Sequence, residues 1–193
     1  MKDSPTPSLR IEVLSVEAAS DVATVRDVVE LVNKVYAVAE DGLWQQGATR
    51  TTRDEIIGFI RAGQIVVARL DDRIVGSIHV QRLDSDTAET GMLASDPDYR
   101  GMGIGRELRR FVVDQLRRDG VTVLQIELLV PRNWTQESKV FMADWNARSG
   151  YQVVRKGRFE DHYPHLAPRL ATPCDFIVYN KPLDPTTDVG PDA

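Results

Sequence analysis

The stretch Arg100-Gly101-Met102-Gly103-Ile104-Gly105 sets three glycines within five positions, between a run that reads as a strand, Thr87 to Ser95, and one that reads as a helix, Arg106 to Arg118. Glycine has no Cβ, so the main chain there can approach a ligand closely and can take the positive φ angles of a tight anion-binding turn. The unpaired N–H groups at the start of the following helix add donors, assisted by the helix dipole. The chemistry implied is a cradle for a phosphate or pyrophosphate. Two common nucleotide motifs fit poorly. Gly105 is followed by Arg106-Glu107 and not by the Lys-Ser/Thr of a P-loop. The spacing is G-x-G-x-G at mid-chain, whereas a dinucleotide fingerprint is G-x-G-x-x-G and opens its domain. On the glycines alone, a plain turn into a helix is the other reading.

The elements around the turn follow from periodicity. Arg10 to Val16 alternates loosely, as an opening strand does. Ser20 is the expected N-cap of a first helix, with Val22, Val25, Val29, Val32 and Tyr36 at helical spacing and Asp41-Gly42 ending it. Thr51/Thr52 with Glu55 reads as a capping box for a second helix ending near Gly63. Ile65 to Leu70 and Ile74 to Val80, across Asp71-Asp72-Arg73, form a hairpin signal. In the helix after the glycines, Leu108, Phe111, Val112 and Leu116 mark the inner face and Gly120 the stop. Val121 to Val130 is almost continuously apolar and reads as a central strand buried on both faces, closed by Pro131. A helix from about Ser138 to Arg148 and strands at Tyr151 to Arg155 and Cys174 to Tyr179 complete the order. The expectation is an α/β (α+β) fold, with a strand-helix-strand crossover after a largely antiparallel first half.

Composition narrows the function. At 193 residues, one ordered domain over 10–183 is expected, with unstructured tails at 1–9 and 184–193. A net charge of −5 and a pI near 5.3 argue against a broad nucleic-acid surface. The single cysteine, Cys174, offers neither a disulfide nor a Cys-rich zinc site and reads as a buried strand residue. No run approaches the roughly 18 apolar residues of a membrane helix, and no signal peptide is evident. A soluble, cytoplasmic protein without membrane or nucleic-acid partners is expected. His162 and His165 beside Glu160 and Asp161 raise the thought of a metal, but His79 is the one other histidine and no metal is expected.

Arg100-Gly101-Met102-Gly103-Ile104-Gly105 resembles the Q/R-x-x-G-x-G/A motif of the Gcn5-related N-acetyltransferase (GNAT) superfamily. Met92-Leu93-Ala94-Ser95-Asp96-Pro97-Asp98-Tyr99 is similar to the family's strand and Pro-x-Tyr approach to that motif, and Arg148-Ser149-Gly150-Tyr151 to its late Gly-aromatic signature. The resemblance covers about residues 10–183. It implies a GNAT fold, a central mixed, mostly antiparallel sheet of six to seven strands flanked by helices on both faces. It also implies an N-acetyltransferase that moves an acetyl group from acetyl-CoA, its co-substrate, to a primary amine of a small-molecule or amino-acid-like acceptor, by direct attack in a ternary complex. A non-catalytic acyl-CoA-binding relative and a protein or peptide acetyltransferase are the alternatives, and a homodimer is compatible with either.

By this resemblance the backbone of Gly101, Met102, Gly103, Ile104 and Gly105, with Arg100 beside it, holds the pyrophosphate. Met92, Leu93 and Ala94 offer main-chain groups to the pantetheine amides and to the thioester carbonyl. Asn133 is a further pantetheine contact. Glu89, eleven positions before Arg100 and on the strand face of Gly91 and Leu93, is the candidate base, with a solvent-facing strand residue as the alternative. Asn146 stands where relatives carry a tyrosine acid; it can donate a hydrogen bond to sulfur but no proton. Tyr151 and Trp145 read as core aromatics. Trp44, His162 and Tyr163, on the variable segments, are the expected acceptor contacts.

Overall fold

A computed structural model describes residues 8–183. Its strands are β1 (Leu9–Val13), β2 (Ile65–Leu70), β3 (Arg73–Arg82), β4 (Thr87–Ser95), β5 (Val123–Pro131), β6 (Gln152–Arg158) and β7 (Cys174–Pro182). Its α-helices are α1 (Val22–Ala39), α2 (Arg53–Arg61), α3 (Ile104–Arg118), α4 (Glu137–Arg148) and the short α5 (Phe159–His162). Tight 3-10 turns occupy Val16–Ser20, Pro97–Tyr99 and Ala167–Arg169. The strands hydrogen-bond in the order β1-β2-β3-β4-β5-β7-β6. Antiparallel pairs β1/β2, β2/β3, β5/β7 and β6/β7 accompany a parallel β4/β5 pair, which makes the expected mixed sheet of seven strands.

Contacts along the chain group into two compact units that share strands β3 and β4 by length. The first comprises the residues up to Val38, Thr49–Val80 and Gly91–Val112; the second comprises Ala39–Ala48, Gln81–Thr90 and Val113 onward. Of the terminal tails expected at 1–9 and 184–193, residues 1–7 and 184–193 lie outside the described residues, and Leu9 already belongs to β1.

In the first unit, strand alternation sorts side chains onto two faces. Ile65 and Val67 of β2 pack with Val25, Val28, Leu31 and Val32 of α1 and Ile56 and Ile60 of α2. A bulge in β3 opposite Ala68/Arg69 brings Ile74 onto that same face, where two strict repeats would have sent it to the other. The opposite face is built around Gly76, whose missing Cβ makes room for Ile104 and Leu108 of α3. Helix α2 starts with the expected capping box: Thr52 accepts from the Glu55 N–H and the Glu55 carboxylate accepts from the Thr52 N–H. Helix α1 starts one residue later than expected. Ser20 closes a 3-10 turn, and the cap is Asp21, whose carboxylate accepts from the Ala23 N–H and the Thr24 hydroxyl. Its buried stripe is accordingly Val25, Val28, Leu31 and Val32, and Val22 is exposed.

In the second unit, β5 departs from the expectation of burial on both faces. Leu124, Ile126 and Leu128 are buried, while Val123, Gln125, Glu127 and Leu129 on the other face are only half-buried. That outward face meets a second cluster of Leu43, Phe159, Cys174, Phe176 and Val178, with Leu129 and Tyr163 packed against it. Helix α3 ends as expected, Gly120 taking φ 76° while the Val121 N–H reaches back to the Leu116 carbonyl at 2.9 Å. Tyr151 lies in the core as expected, whereas Trp145 is only half-buried, beside the exposed Phe141, and is not a core residue. Cys174 is fully buried and burial pushes its thiol up to about 11.

Two stability outcomes follow from the first unit. A Cβ at position 76 would lie 2.5 Å from Ile104 Cγ2 and 2.9 Å from Leu108 Cδ1, so Gly76→Val is expected to cost about 1–3 kcal/mol and to lower Tm in thermal unfolding. His79 is buried with its ring 4.2 Å from Phe59 and its Nε2 3.2 Å from Gln64 Oε1. Burial, and then the charge of Arg50, push its pKa from 6.5 down to about 4. The unfolded chain therefore takes up a proton near pH 6.5 that the folded chain refuses. Stability is full above that pH and falls towards pH 4, by on the order of 2–3 kcal/mol. Urea unfolding at both pH values should show His79→Gln losing less stability on acidification than the parent.

Candidate functional site

The anion-binding turn is built in the first unit from the end of β4. Met92 takes φ 48°, a left-handed conformation that costs a non-glycine residue energy and interrupts the regular pleat. Its side chain, buried in the cluster of α1 and α2, holds it there, and Ala94 beyond it is also buried. Asp96 then ends the strand. Its N–H donates to the Val75 carbonyl at 2.9 Å, and its buried carboxylate accepts from Lys34 Nζ at 2.9 Å and from the Asp98 N–H at 3.3 Å. Arg73 stands 3.5 Å from the same carboxylate. The 3-10 turn Pro97–Tyr99 so fixed delivers the chain to Arg100.

Gly101 and Gly103 take φ 89° and 71°. A Cβ at Gly101 would meet no atom within 4 Å, and one at Gly103 would come 3.4 Å from the Arg106 guanidinium, so the turn is an open concavity and not a packing accommodation. Helix α3 begins at Ile104, two residues earlier than expected, with Ile104 buried as its anchor. The Glu107 N–H to Gly103 carbonyl bond, at 3.0 Å, belongs to this first turn, and the N–H groups of Gly103 to Arg106 precede any intrahelical acceptor. Gly105 is therefore helical, and the cradle rests on two positive-φ glycines instead of three. Arg100 and Arg106 are exposed beside it, and Met102 projects into solvent. Donors, dipole and cations of this kind fit a pyrophosphate.

The second unit carries a carboxylate face. Register sets Glu89 opposite Gln125 in the parallel β4/β5 pair, and Glu127 follows two residues on, on the same side. Glu89 is held at both oxygens, by Gln81 Nε2 at 3.1 Å and Gln125 Nε2 at 2.8 Å. Glu127 accepts the Tyr163 hydroxyl at 2.5 Å. Burial and the charge of Glu89 push the Glu127 carboxyl above its ordinary value, against the opposing pull of the Tyr163 bond and of Arg155. Burial and the donation to Glu127 push the Tyr163 phenol up as well, so it stays protonated at neutral pH. Arg155, opposite Val178 on β6, lies over the Phe176 ring at 5.3 Å.

Aromatic rings continue this face. Trp44 stands edge-on to Phe159 at 5.8 Å, Phe159 is 5.1 Å from Tyr163, and Tyr163 is 5.5 Å from Phe176. His162 is exposed and lies 4.7 Å from Phe176. Two polar clips position the wall. Glu40 accepts Trp44 Nε1 at 2.7 Å and is paired with Lys139 Nζ at 2.8 Å, both ends of the ion pair being buried. Arg132 joins Glu160 at 3.0 Å to Asp175 at 2.6 Å, which fixes α5 against β7. Arg132 also holds the Glu160 carboxyl down at about 2 and engages both of its oxygens.

Of the expected residues, Met92, Leu93, Ala94 and Arg100 to Gly105 fall together in the first unit, and Glu89, Trp44, His162 and Tyr163 in the second. Asn133 is exposed in the segment after β5. Asn146 lies on α4 at 1% exposure, and its carbonyl accepts the Tyr151 N–H at 3.0 Å. Glu127 was not foreseen. Its signal is the pair Gln125 and Glu127 at strand spacing inside an otherwise apolar run.

The acetyltransferase (GNAT) family model matches residues 29–137. No curated protein matches the chain in sequence. Among solved structures, the chain is similar to N-acetylglutamate synthase from Neisseria gonorrhoeae complexed with coenzyme A and N-acetyl-glutamate, at 16% identity and TM-score 0.62 over 94% of this chain. It spans only 36% of that protein's length. It is similar to the Salmonella typhimurium protein yncA with its cofactor acetyl-CoA, at 16% identity and TM-score 0.60, covering 96% of this chain and 99% of that one. It is also similar to the mosquito arylalkylamine N-acetyltransferase like 5b, at 16% identity and TM-score 0.63, covering 91% and 100%. At these identities the likeness is one of fold.

The wall that carries Trp44 should depend on its buried ion pair. Lys139→Met leaves the Glu40 charge buried without its partner and is expected to cost about 3–5 kcal/mol, read by urea unfolding. The double variant Glu40→Gln/Lys139→Met should recover most of that loss.

Proposed function

We propose, because this chain belongs to the acetyltransferase (GNAT) family, that it moves an acetyl group from acetyl-CoA to a primary amine of a small, cationic acceptor. The observation that carries the cofactor is the turn at Gly101 and Gly103, open, positive in φ and set at the start of α3. Its N–H groups would hold the pyrophosphate, with Arg100 and Arg106 adding charge. The main chain of Met92, Leu93 and Ala94 would meet the pantetheine amides and polarise the thioester carbonyl, and Asn133 would add a side-chain contact. Bound acetyl-CoA supplies a carbonyl carbon open to attack.

The acceptor is read from the second unit. An ammonium ion suits a face with two carboxylates, Glu89 and Glu127, and the half-buried rings of Trp44 and Tyr163 suit an apolar or aromatic body attached to it. His162 at the rim would add a polar contact. The ammonium gives up one proton to the carboxylate pair, the neutral nitrogen so formed bonds to the acetyl carbon, the C–S bond breaks with its electrons leaving on sulfur, and the second proton leaves the acylated nitrogen for the thiolate or solvent. Asn146 can donate a hydrogen bond but no proton, so the thiolate departs without a general acid at that position. A thiol's modest pKa permits this. The structural neighbour named for arylalkylamines is in keeping with such an acceptor.

The test is calorimetric binding of acetyl-CoA together with thiol release in the presence of an amine panel. The protein is expected to bind acetyl-CoA and to acetylate cationic primary amines in preference to amino acids. Gly103→Val should weaken acetyl-CoA binding ~10-fold or more. Binding without turnover on any amine or on Lys-rich peptides would replace the transferase reading with a non-catalytic acyl-CoA binder. No binding would overturn both.

A further inference from the structure

We propose that Glu127, and not Glu89, takes the proton from the attacking amine, with Tyr163 holding the Glu127 carboxylate in place and Glu89 supplying a fixed negative charge beside it. This rests on the acetyl-transfer reading above and assigns the proton within it. Sequence spacing singled out Glu89, but the hydrogen bonds divide the two carboxylates by role. Both Glu89 oxygens are already engaged by amide donors, Gln81 Nε2 on Oε1 and Gln125 Nε2 on Oε2. Each donor takes one of the two lone-pair sites of its oxygen, so neither Glu89 oxygen is as open to an incoming N–H as Glu127 Oε1. Glu127 accepts the Tyr163 hydroxyl on Oε2, and Oε1 carries no bond of that kind among the described residues.

The surroundings of Glu127 also suit a proton acceptor. The charged and titratable groups that act on it are Glu89 from β4, Arg155 from β6 and Tyr163 from the C-cap of α5, and Val178 of β7 is its apolar partner across the strand pair. Burial and Glu89 raise its proton affinity, Tyr163 and Arg155 restrain it, and the balance is upward. A base is most effective when its proton affinity approaches the working pH. Tyr163 cannot serve in its place, because its hydroxyl is committed as donor to Glu127 and its own proton is held more tightly than usual. In the step, one N–H bond of the ammonium breaks towards Glu127, the lone pair so freed forms the N–C bond to the acetyl carbon, the C–S bond breaks with its electrons on sulfur, and the second proton passes from the acylated nitrogen to the departing thiolate or to solvent. Glu127 then returns its proton to solvent.

The experiment is the pH profile of kcat/KM for the best amine of the panel, in the parent, Glu127→Gln, Glu127→Asp, Glu89→Gln and Tyr163→Phe, with acetyl-CoA binding measured on each. The parent should show an acid limb above the ordinary glutamate value of about 4.3. Glu127→Gln should lose ~10²-fold or more in kcat and lose the limb while binding acetyl-CoA normally. Glu127→Asp should restore the limb and part of the rate. Glu89→Gln should keep the limb and move it to lower pH, because a repelling charge is gone, whereas Tyr163→Phe should move it to higher pH, because a bond to the ionised form is gone. Opposite shifts are not the mark of a merely structural role. A limb that survives Glu127→Gln unchanged, or that vanishes in Glu89→Gln, would overturn the assignment and leave acetyl transfer standing. No turnover by the parent on any amine, with acetyl-CoA bound, would overturn both.

Discussion

The buried carboxylate of Asp96 is the constraint on which the anion-binding turn depends. Burial raises the proton affinity of this group, but the Lys34 bond, the Asp98 N–H and the nearby charges of Lys34 and Arg73 outweigh it and hold the carboxyl below the usual range. One residue thus gathers α1, β3 and the first residues after β4 at a single point. Its own N–H on Val75 sets the end of β4, and its carboxylate sets the 3-10 turn that follows. Met92, strained four residues earlier, is held by burial at the other end of the same short segment. Gly101 and Gly103 are then left nothing to pack, which is why their positive φ angles read as a binding concavity.

In the second unit, strand register does the equivalent work. A parallel pair puts Glu89 beside Gln125, and the strand's two-residue repeat puts Glu127 on the same side. A slip of β5 by one residue would send Gln125 and Glu127 to the opposite face, where Leu124, Ile126 and Leu128 are buried. Packing of those three against the core therefore fixes the polar residues between them. The aromatic wall completes this face through Arg132 and the Glu40–Lys139 pair, whose charges are satisfied by each other and by neighbouring donors.

Local signals were the legible part of the sequence. The capping box at Thr52 and Glu55, the β2/β3 hairpin and both ends of β4 depend on residues next to one another, and they lie where the sequence places them. Tertiary effects were not legible in the same way. The β3 bulge that redirects Ile74 has no local signature, and the positive φ of Met92 falls on a residue that ordinarily avoids it. Ser20 and Asp21 are both competent caps, and the 3-10 turn before them decided between them. Glu127 was hidden by its own strand: Val123 and Leu129 fill outward positions with apolar side chains, so a half-exposed strand reads as one buried on both sides. Helix α5 is a single turn, too short to show a period.

The carboxylate face also explains why the base cannot be chosen by spacing. Glu89 and Glu127 sit on adjacent strands, and either could meet an ammonium ion, but one charge changes what the other can do. Glu89, held by an amide donor at each oxygen, acts on its neighbour as repulsion. The neighbour, half-buried and held by one phenol, is thereby made the more willing to receive a proton. Motif distance along the chain points to Glu89, because it counts from Arg100 along the same strand and connection. The pairing that differentiates the two carboxylates comes from Gln81 on β3, Gln125 on β5 and Tyr163 after α5, and only the fold brings these together.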